Sequence, residues 1–292
     1  SYDQAREDYR HQRQSLFIAI DSDTWKSHVK ENSEWNDTHE TVLHASHYIL
    51  GVIVKTPIPQ LSESIPQFVV QDTYEALNKL ARNRYDISDA TLITTTGTDD
   101  KGILTINALF EQIFLKTDYQ IVIKKQDHVN INILTALASA SEKTKYIISN
   151  ANNQALTSNP EIFKTFIPDI VVISSVEDTK SQTVEDSINI YVQFLEEMFV
   201  NSKVIINSDS DGFEKIYSKV ERLKLNKITY GIIPNSDVFI MRNRQLGEYS
   251  QIKAKIIGEN SDFQTKLTGL DNLRYILSVL ATLKILHIPL YR

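Results

Sequence analysis

Short apolar runs alternate with amphipathic stretches along most of the chain. The apolar runs are rich in Ile and Val, which is typical of buried strands, and the stretches between them carry apolar residues at helical spacing. Such an alternation favours a parallel sheet covered by helices on both faces, so we expect an α/β protein. Strands are predicted at residues 91–96, 119–125, 145–150, 168–175, 202–209 and 227–232, and helices at residues 103–115, 131–140, 184–199, 212–223 and 272–288.

The N-terminal part predicts a smaller unit of strands and helices. Asp72 precedes the helical run TYEALNKLARNRY and is expected to cap it. The polar stretch 21–36 is predicted to be irregular, and DISDA (residues 86–90) is predicted to be a linker. We therefore expect a small N-terminal α/β domain at residues 1–88 and a larger one at residues 89–292. The predicted elements of the first unit are strands at residues 16–20, 51–55 and 67–72, and helices at residues 37–51 and 73–85.

Composition and charge exclude several classes of function. The chain has no cysteine, so disulfides, thiolate metal sites and a cysteine nucleophile are absent. The net charge is −6 without a dense basic run, and we expect no nucleic-acid binding. The spacing of His39, His44 and His47 does not suit a zinc site, and no metal site is predicted. Without an apolar run long enough for a membrane span or a signal-peptide core, we expect a cytoplasmic protein.

The stretch TTTGTDDKG joins a predicted strand to a predicted helix and has the layout of a phosphate-binding loop. Gly97, Thr98 and Lys101 suit such a loop. Asp100 stands where a glycine is needed, and Gly102 where a metal-binding hydroxyl is needed. A carboxylate close to a triphosphate is strongly repulsive. From these residues alone, an ordinary turn with Asp caps is favoured over a nucleotide site.

The order of these features resembles the Mur ligases of peptidoglycan precursor synthesis. In the first domain, DYRHQRQSLFIAI and NDTHETVLHASHYILGVIVK are similar to the family motifs that contact the UDP part of the precursor. The resemblance implies candidate precursor-binding roles for Asp8, Arg10, Asp37 and His39. It also implies a Mur-ligase-like fold with a UDP-precursor-type N-terminal domain and an ATPase-type central domain.

The resemblance in the second domain concerns layout more than chemistry. The family loop has glycines at the positions of Thr94 and Asp100 and a threonine at that of Gly102. Further family positions carry a metal-binding Glu, a His, an acid and a carbamylated Lys, and the helix that holds the last of these could slip by one residue. These positions fall on Asn150, Gln154, Asp178 and Tyr191 in this sequence.

The resemblance therefore implies a catalytically inactive homologue with a ruined nucleotide loop and no catalytic residue. It would act by binding a protein partner of cell-wall synthesis or a UDP-linked precursor, without a cofactor. The family's third domain is expected to be missing, which would leave an apolar docking surface on the second domain if the last helix is exposed. One alternative is a diverged amide ligase that uses ATP and Mg²⁺. Another is a structural subunit that forms a homo-oligomer or pairs with a related ligase.

Overall fold

A computed structural model describes residues 15–29, 35–117, 119–123 and 129–289. For residues 129 and 130 it describes the backbone only. The described residues form two sheets flanked by helices, of three and nine strands. The predicted α/β class with a mainly parallel sheet is confirmed.

The smaller sheet is parallel and consists of β1 (Leu16–Ile18), β2 (Gly51–Val54) and β3 (Gln67–Val69), in that order. Helix α2 (His39–Ala45) and a short 3-10 turn precede β2, and α3 (Thr73–Ser88) follows β3. The predicted helix at residues 37–51 is thus too long. Gly51 instead starts β2, where it pairs with Leu16 of β1.

A helix that the sequence pattern did not predict, α1 (Ser22–His28), lies inside the stretch 21–36. The Asp21 carboxylate caps it by accepting a hydrogen bond from the Thr24 N–H at 2.8 Å. Trp25 is fully buried and stacks on Trp35 with ring centroids 4.3 Å apart. One cap and one large buried ring therefore stabilise a helix whose other positions are polar.

The larger sheet has the strand order β12-β11-β10-β9-β8-β7-β4-β6-β5. All pairings from β5 to β10 are parallel, and β11 and β12 are antiparallel additions at one edge. The strands are β4 (Thr91–Gly97), β5 (Gln120–Ile123), β6 (Thr144–Asn152), β7 (Ile170–Ile173), β8 (Lys203–Asn207), β9 (Asn226–Gly231), β10 (Val238–Leu246), β11 (Tyr249–Ile256) and β12 (Glu259–Thr265).

Helices cover both faces of this sheet. One face is packed by α4 (Asp100–Phe114) and α10 (Leu270–Ile285), whose buried residues join a single apolar cluster. The other face is packed mainly by α5 (Val129–Ala138), α8 (Val184–Glu196) and α9 (Phe213–Arg222). Two short helices that were not predicted, α6 (Asn153–Ser158) and α7 (Pro160–Thr165), follow β6.

The last helix, α10, belongs to the core. Leu273, Ile276, Leu277 and Leu283 are all buried against the sheet. The hypothesis that this helix offers an apolar docking surface therefore loses its basis, because its apolar side chains already pack within the chain.

The two units share buried surface. Tyr74 and Leu77 of α3 belong to the same apolar cluster as Leu134 and Leu137 of α5. Helix α3 runs to Ser88, so most of the segment expected to be a linker is helical; Asp89 then adopts a left-handed conformation. The division at residue 88 remains a prediction, with the small sheet before it and the large sheet after it.

Asp72 caps α3 as the sequence predicts. Its Oδ1 accepts a hydrogen bond from the Glu75 N–H at 2.8 Å, and its Oδ2 lies 2.6 Å from His28 Nε2. Partial burial raises the pKa of Asp72, but the hydrogen bonds from Glu75 and His28 outweigh it and hold the pKa below its usual value.

Replacing Asp72 with Ala is expected to lower the free energy of unfolding by about 0.5–2 kcal/mol at neutral pH. Because the pKa is lowered in the folded state, this stabilisation is complete above the ordinary carboxyl range and is lost as the pH falls through the folded value. Urea unfolding at neutral and acidic pH measures both effects. Asp72→Asn keeps a capping oxygen and should lose less; equal midpoints for all three proteins at neutral pH would contradict the capping role.

Candidate functional site

The loop that resembles a phosphate-binding loop lies at the carboxyl end of β4, where ligands of parallel sheets bind. Gly97 is the last residue of the strand, and only Thr98 and Asp99 separate it from α4. Asp99 is the N-cap, and its Oδ1 accepts a hydrogen bond from the Lys101 N–H at 3.1 Å. The loop is therefore a capped strand-to-helix turn.

The amides of this turn already have acceptors within the protein. The Thr98 N–H donates to the Ser175 carbonyl at 3.1 Å, and the Asp99 N–H donates to Ser175 Oγ at 3.1 Å. Together with the Lys101 amide, three of the five N–H groups of residues 98–102 are thus engaged. A phosphate cradle depends on such N–H groups pointing freely at the anion.

A tyrosine from the last helix closes the space beside the turn. The Tyr275 hydroxyl donates a short hydrogen bond to Asp99 Oδ2. Its ring lies against Gly102, where an added Cβ would fall 2.8 Å from Cε1 and 2.9 Å from Cζ. Desolvation, together with the Asp99 carboxylate, raises the pKa of Tyr275 above its usual value. A Cβ at position 102 would therefore be crowded by Tyr275, and a hydroxyl-bearing residue there would require the ring to shift.

A cavity of about 480 Å³ opens in front of the turn, between the loops after β4 and β7 and the start of α10. Its volume is within the usual range for small-molecule sites. Asp99, Glu177, Asp178 and Asp271 line it, against the cations Lys101 and Arg274. The wall thus carries more acidic than basic groups.

Arg274 is committed to ion pairs inside the protein. Its Nε donates to Asp209 Oδ2 at 2.8 Å, and its Nη1 donates to Asp271 Oδ1 at 2.7 Å. Desolvation at the cavity wall and the nearby Asp211 raise the pKa of Glu177, although Arg274 opposes this. The field at the cavity is consequently unfavourable to a polyanion.

One of the positions that match the family's metal-binding residues, Tyr191, belongs to a buried polar network. The buried Tyr191 donates a short hydrogen bond to Asn153 Oδ1. Asn153 Nδ2 donates to Gln182 Oε1 at 2.7 Å and to Ser187 Oγ at 2.9 Å. Burial raises the pKa of Tyr191, so the phenol remains neutral. Asn153 is the centre of this network, and it is not among the site positions that the family resemblance implies.

The remaining predicted positions are placed as follows. Asn150 is buried inside β6, and Gln154 lies on the exposed side of α6. Asp178 Oδ1 accepts a hydrogen bond from the Val184 N–H at the start of α8, at 2.7 Å. In the described part of the chain, no three His, Asp or Glu side chains come together as a metal site would require.

The candidate precursor site is only partly described. Asp37 and His39 lie together at the start of α2, where Asp37 Oδ1 is 2.7 Å from His39 Nδ1 and accepts from the His39 N–H at 2.9 Å. His39 Nε2 is buried and has no hydrogen-bond partner among the described residues. Asp8 and Arg10 lie outside the described residues.

No protein-family model matches the chain. A curated relative, UDP-N-acetylmuramoyl-tripeptide--D-alanyl-D-alanine ligase of Rickettsia prowazekii, is 22% identical over 217 residues, which cover 73% of this chain and 48% of the relative.

Solved structures are similar over almost the whole chain. The UDP-N-acetylmuramoylalanyl-D-glutamyl-2,6-diaminopimelate--D-alanyl-D-alanyl ligase of Acinetobacter baumannii superposes with a TM-score of 0.70 at 16% identity, covering 95% of this chain and 58% of that one. The MurF ligase of Thermotoga maritima, solved in complex with ADP, superposes with a TM-score of 0.67 at 13% identity, covering 94% and 61%. The chain has a Mur-ligase-like fold.

The likeness covers both predicted units, and it concerns the fold. This chain spans about half the length of the curated relative that it matches. Within the described residues, no helix of this Mur-ligase-like chain is both long enough and apolar enough to cross a bilayer.

Gly102→Ala tests the contact between the turn and Tyr275. At an ordinary helix position Ala stabilises by about 1 kcal/mol relative to Gly. Here the new Cβ would also meet Asp99 Oδ2 at 2.7 Å. We expect a loss of about 1–3 kcal/mol in unfolding free energy, measured by urea denaturation.

A double-mutant cycle with Tyr275→Ala provides the control. Once the ring is removed, Gly102→Ala should cost far less than it does beside Tyr275, giving a clear coupling energy. Additive effects, or a stabilising Gly102→Ala, would contradict the close contact.

Proposed function

We propose that this protein acts in peptidoglycan precursor synthesis by binding a precursor or a partner protein, without forming an amide bond itself. The hydrogen bonding of the turn after β4 carries this proposal. Its amides donate to Ser175 and Asp99 in place of a phosphate. The Asp99 carboxylate occupies the favourable position for an anion at the N-terminus of α4.

The residues of this turn do not fit a nucleoside triphosphate with Mg²⁺. Gly102 follows Lys101 where a metal-binding hydroxyl is needed, and Tyr275 fills the space that such a side chain would use. Acyl-phosphate chemistry depends on positioning and neutralising the triphosphate, so a turn of this kind is not suited to catalyse it.

A diverged ATP-dependent amide ligase is the second candidate. Lys101 favours it, because its side chain lies on the cavity wall and no described carboxylate is within ion-pair distance of its ammonium group. This candidate requires that the N–H groups of the turn be released from Ser175 and Asp99. It also requires that Tyr275 move away from Gly102.

Calorimetric titration with ATP and Mg²⁺ distinguishes the two candidates. We expect no saturable heat from the native chain, because the amides are engaged and the wall is acidic. The T. maritima ligase, whose structure contains ADP, is the positive control. Micromolar binding by the native chain would reject the non-catalytic proposal.

Variants sharpen this test. Asp100→Gly combined with Gly102→Thr should still fail to bind, since Tyr275 occupies the position of the new side chain. Adding Asp99→Ser and Tyr275→Ala removes the competing carboxylate and the ring while keeping an N-cap hydroxyl. Binding that appears only in the fourfold variant would support the assigned roles. Binding in the double variant would contradict the role of Tyr275.

The pair Asp37–His39 supports binding of a UDP-linked precursor. The carboxylate can only accept, so His39 Nδ1 carries the proton in this contact and a neutral ring leaves Nε2 as an acceptor. A buried acceptor that has no partner among the described residues is unusual in a native structure. A hydroxyl or N–H group of a bound precursor would satisfy it.

His39→Ala is expected to weaken binding of UDP-N-acetylmuramoyl-tripeptide by about tenfold, as the loss of one buried hydrogen bond would. Isothermal titration measures the dissociation constant. His44→Ala is the matched control, because His44 lies on the same helix and is exposed. Unchanged affinity in His39→Ala, or equal loss in both variants, would reject this site. The result does not depend on the nucleotide loop.

A further inference from the structure

The hairpin of β10 and β11 projects beyond the carboxyl edge of the large sheet. Strand β10 pairs with β9 only through Val238 and Phe239, and the rest of it has β11 as its partner. One face of the hairpin is apolar and packs inward through Ile252, Ala254 and Ile256, which are buried. The other face is turned to solvent.

A β-bulge determines which side chains reach this outer face. Ile240 pairs with Ala254 on the inner side, but the next pairing is Arg242 with Lys253, so Met241 is the extra residue. With regular pairing from Ile240, Met241 would lie opposite Lys253 and Arg242 would point inward. Bulges commonly re-aim side chains in this way. Here the bulge brings Arg242 and Arg244 onto the outer face.

The outer face thereby collects four cations. Arg242 lies directly opposite Lys253. On the same face, Arg244 lies two residues nearer the tip of the hairpin, opposite Gln251, and Lys255 lies two residues away in the other direction, opposite Phe239. Like charges directly opposite each other in an antiparallel pair are destabilising. Within the described part of the chain, none of the four is within ion-pair distance of a carboxylate, although Asp262 is the register partner of Lys253 on β12.

We propose that this outer face is a docking surface for an acidic polypeptide segment in extended conformation. Alternate residues of a strand are about 6.8 Å apart, and so are alternate side chains of an extended peptide. Acids at every second position of such a segment would therefore match the spacing of Arg242 and Arg244, and that of Lys253 and Lys255. The four cations supply the complementary charge.

Two features favour a polypeptide over other anionic ligands. The chain as a whole carries a net charge of −6, which opposes a long polyanion or an anionic membrane beyond the local patch. Leu246 and Tyr249 pair at the tip of the same face and are partly exposed, so the cations adjoin apolar surface suited to side chains. This surface is separate from the turn after β4, and the proposal does not depend on nucleotide binding.

Fluorescence anisotropy of a labelled peptide of alternating Glu and Thr provides the test, with a Gln–Thr peptide as the uncharged comparison. The native chain should bind the acidic peptide, more weakly at high salt. Arg242→Glu with Arg244→Glu should weaken binding by at least about tenfold. Lys143→Glu with Lys145→Glu makes the same charge change on exposed residues at the other end of the sheet and should have little effect.

Each contrary outcome overturns the proposal. Equal weakening by both double variants would mean a response to net charge alone. No binding of the acidic peptide by the native chain would reject the surface. Tighter, equally variant-sensitive binding of single-stranded RNA or of anionic phospholipid vesicles would assign the face to another class of partner. Arg242→Gln with Arg244→Gln removes both charges but keeps polar side chains, and it should raise the unfolding midpoint slightly, since it relieves the like-charge pairing of Arg242 with Lys253.

Discussion

The close approach of β4 to β7 determines the whole carboxyl edge of the large sheet. Gly97, at the end of β4, lies so near β7 that a Cβ there would fall 2.0 Å from Ser174 Oγ. The backbone beyond it is then held by Ser175, which accepts from two successive amides. Because the turn is fixed in this way, Asp99 is placed at the helix N-terminus, and a Cβ at position 102 would be crowded by Tyr275 and Asp99.

Because of this constraint, the layout of a phosphate-binding turn is present, but most of the N–H groups that phosphate binding would use are already engaged. A strand, a turn and a helix N-terminus are all present, as in phosphate sites of parallel sheets. Their polar groups, however, bond to one another. Fold likeness by itself does not carry activity, which depends on the groups that are free at the site. In this molecule the charged side chains that line the cavity are mostly carboxylates.

The alternating part of the fold could be predicted from the sequence because parallel strands are buried on both faces and appear as continuous apolar runs. The antiparallel strands β10 to β12 were missed because their outer faces are polar. Strand β11 does alternate, with Ser250, Ile252, Ala254 and Ile256 buried, but the bulge in β10 breaks the matching period next to it. Helix α1 was missed because its stability comes from one cap and one ring.

The site could be located but not described from the sequence. Spacing alone identifies the turn and its two aspartates. The contact of Asp99 with Tyr275 joins residues 176 positions apart and leaves no local pattern. The same holds for Asn153, which bonds to side chains of the loop before α8 and of α8 itself. Such contacts depend on tertiary geometry, so no periodic pattern in the sequence predicts them.

Because the polar groups around Asn153 and Asp99 already hydrogen-bond within the protein, substitutions there affect its stability. A lysine at position 191 would bury an ammonium group beside the neutral side chain of Asn153, and burial of a charge is costly. A threonine at position 102 would collide with Tyr275. Single changes at positions 102 and 191 toward the family residues are therefore expected to lower stability, and combined changes would be needed to avoid this coupling.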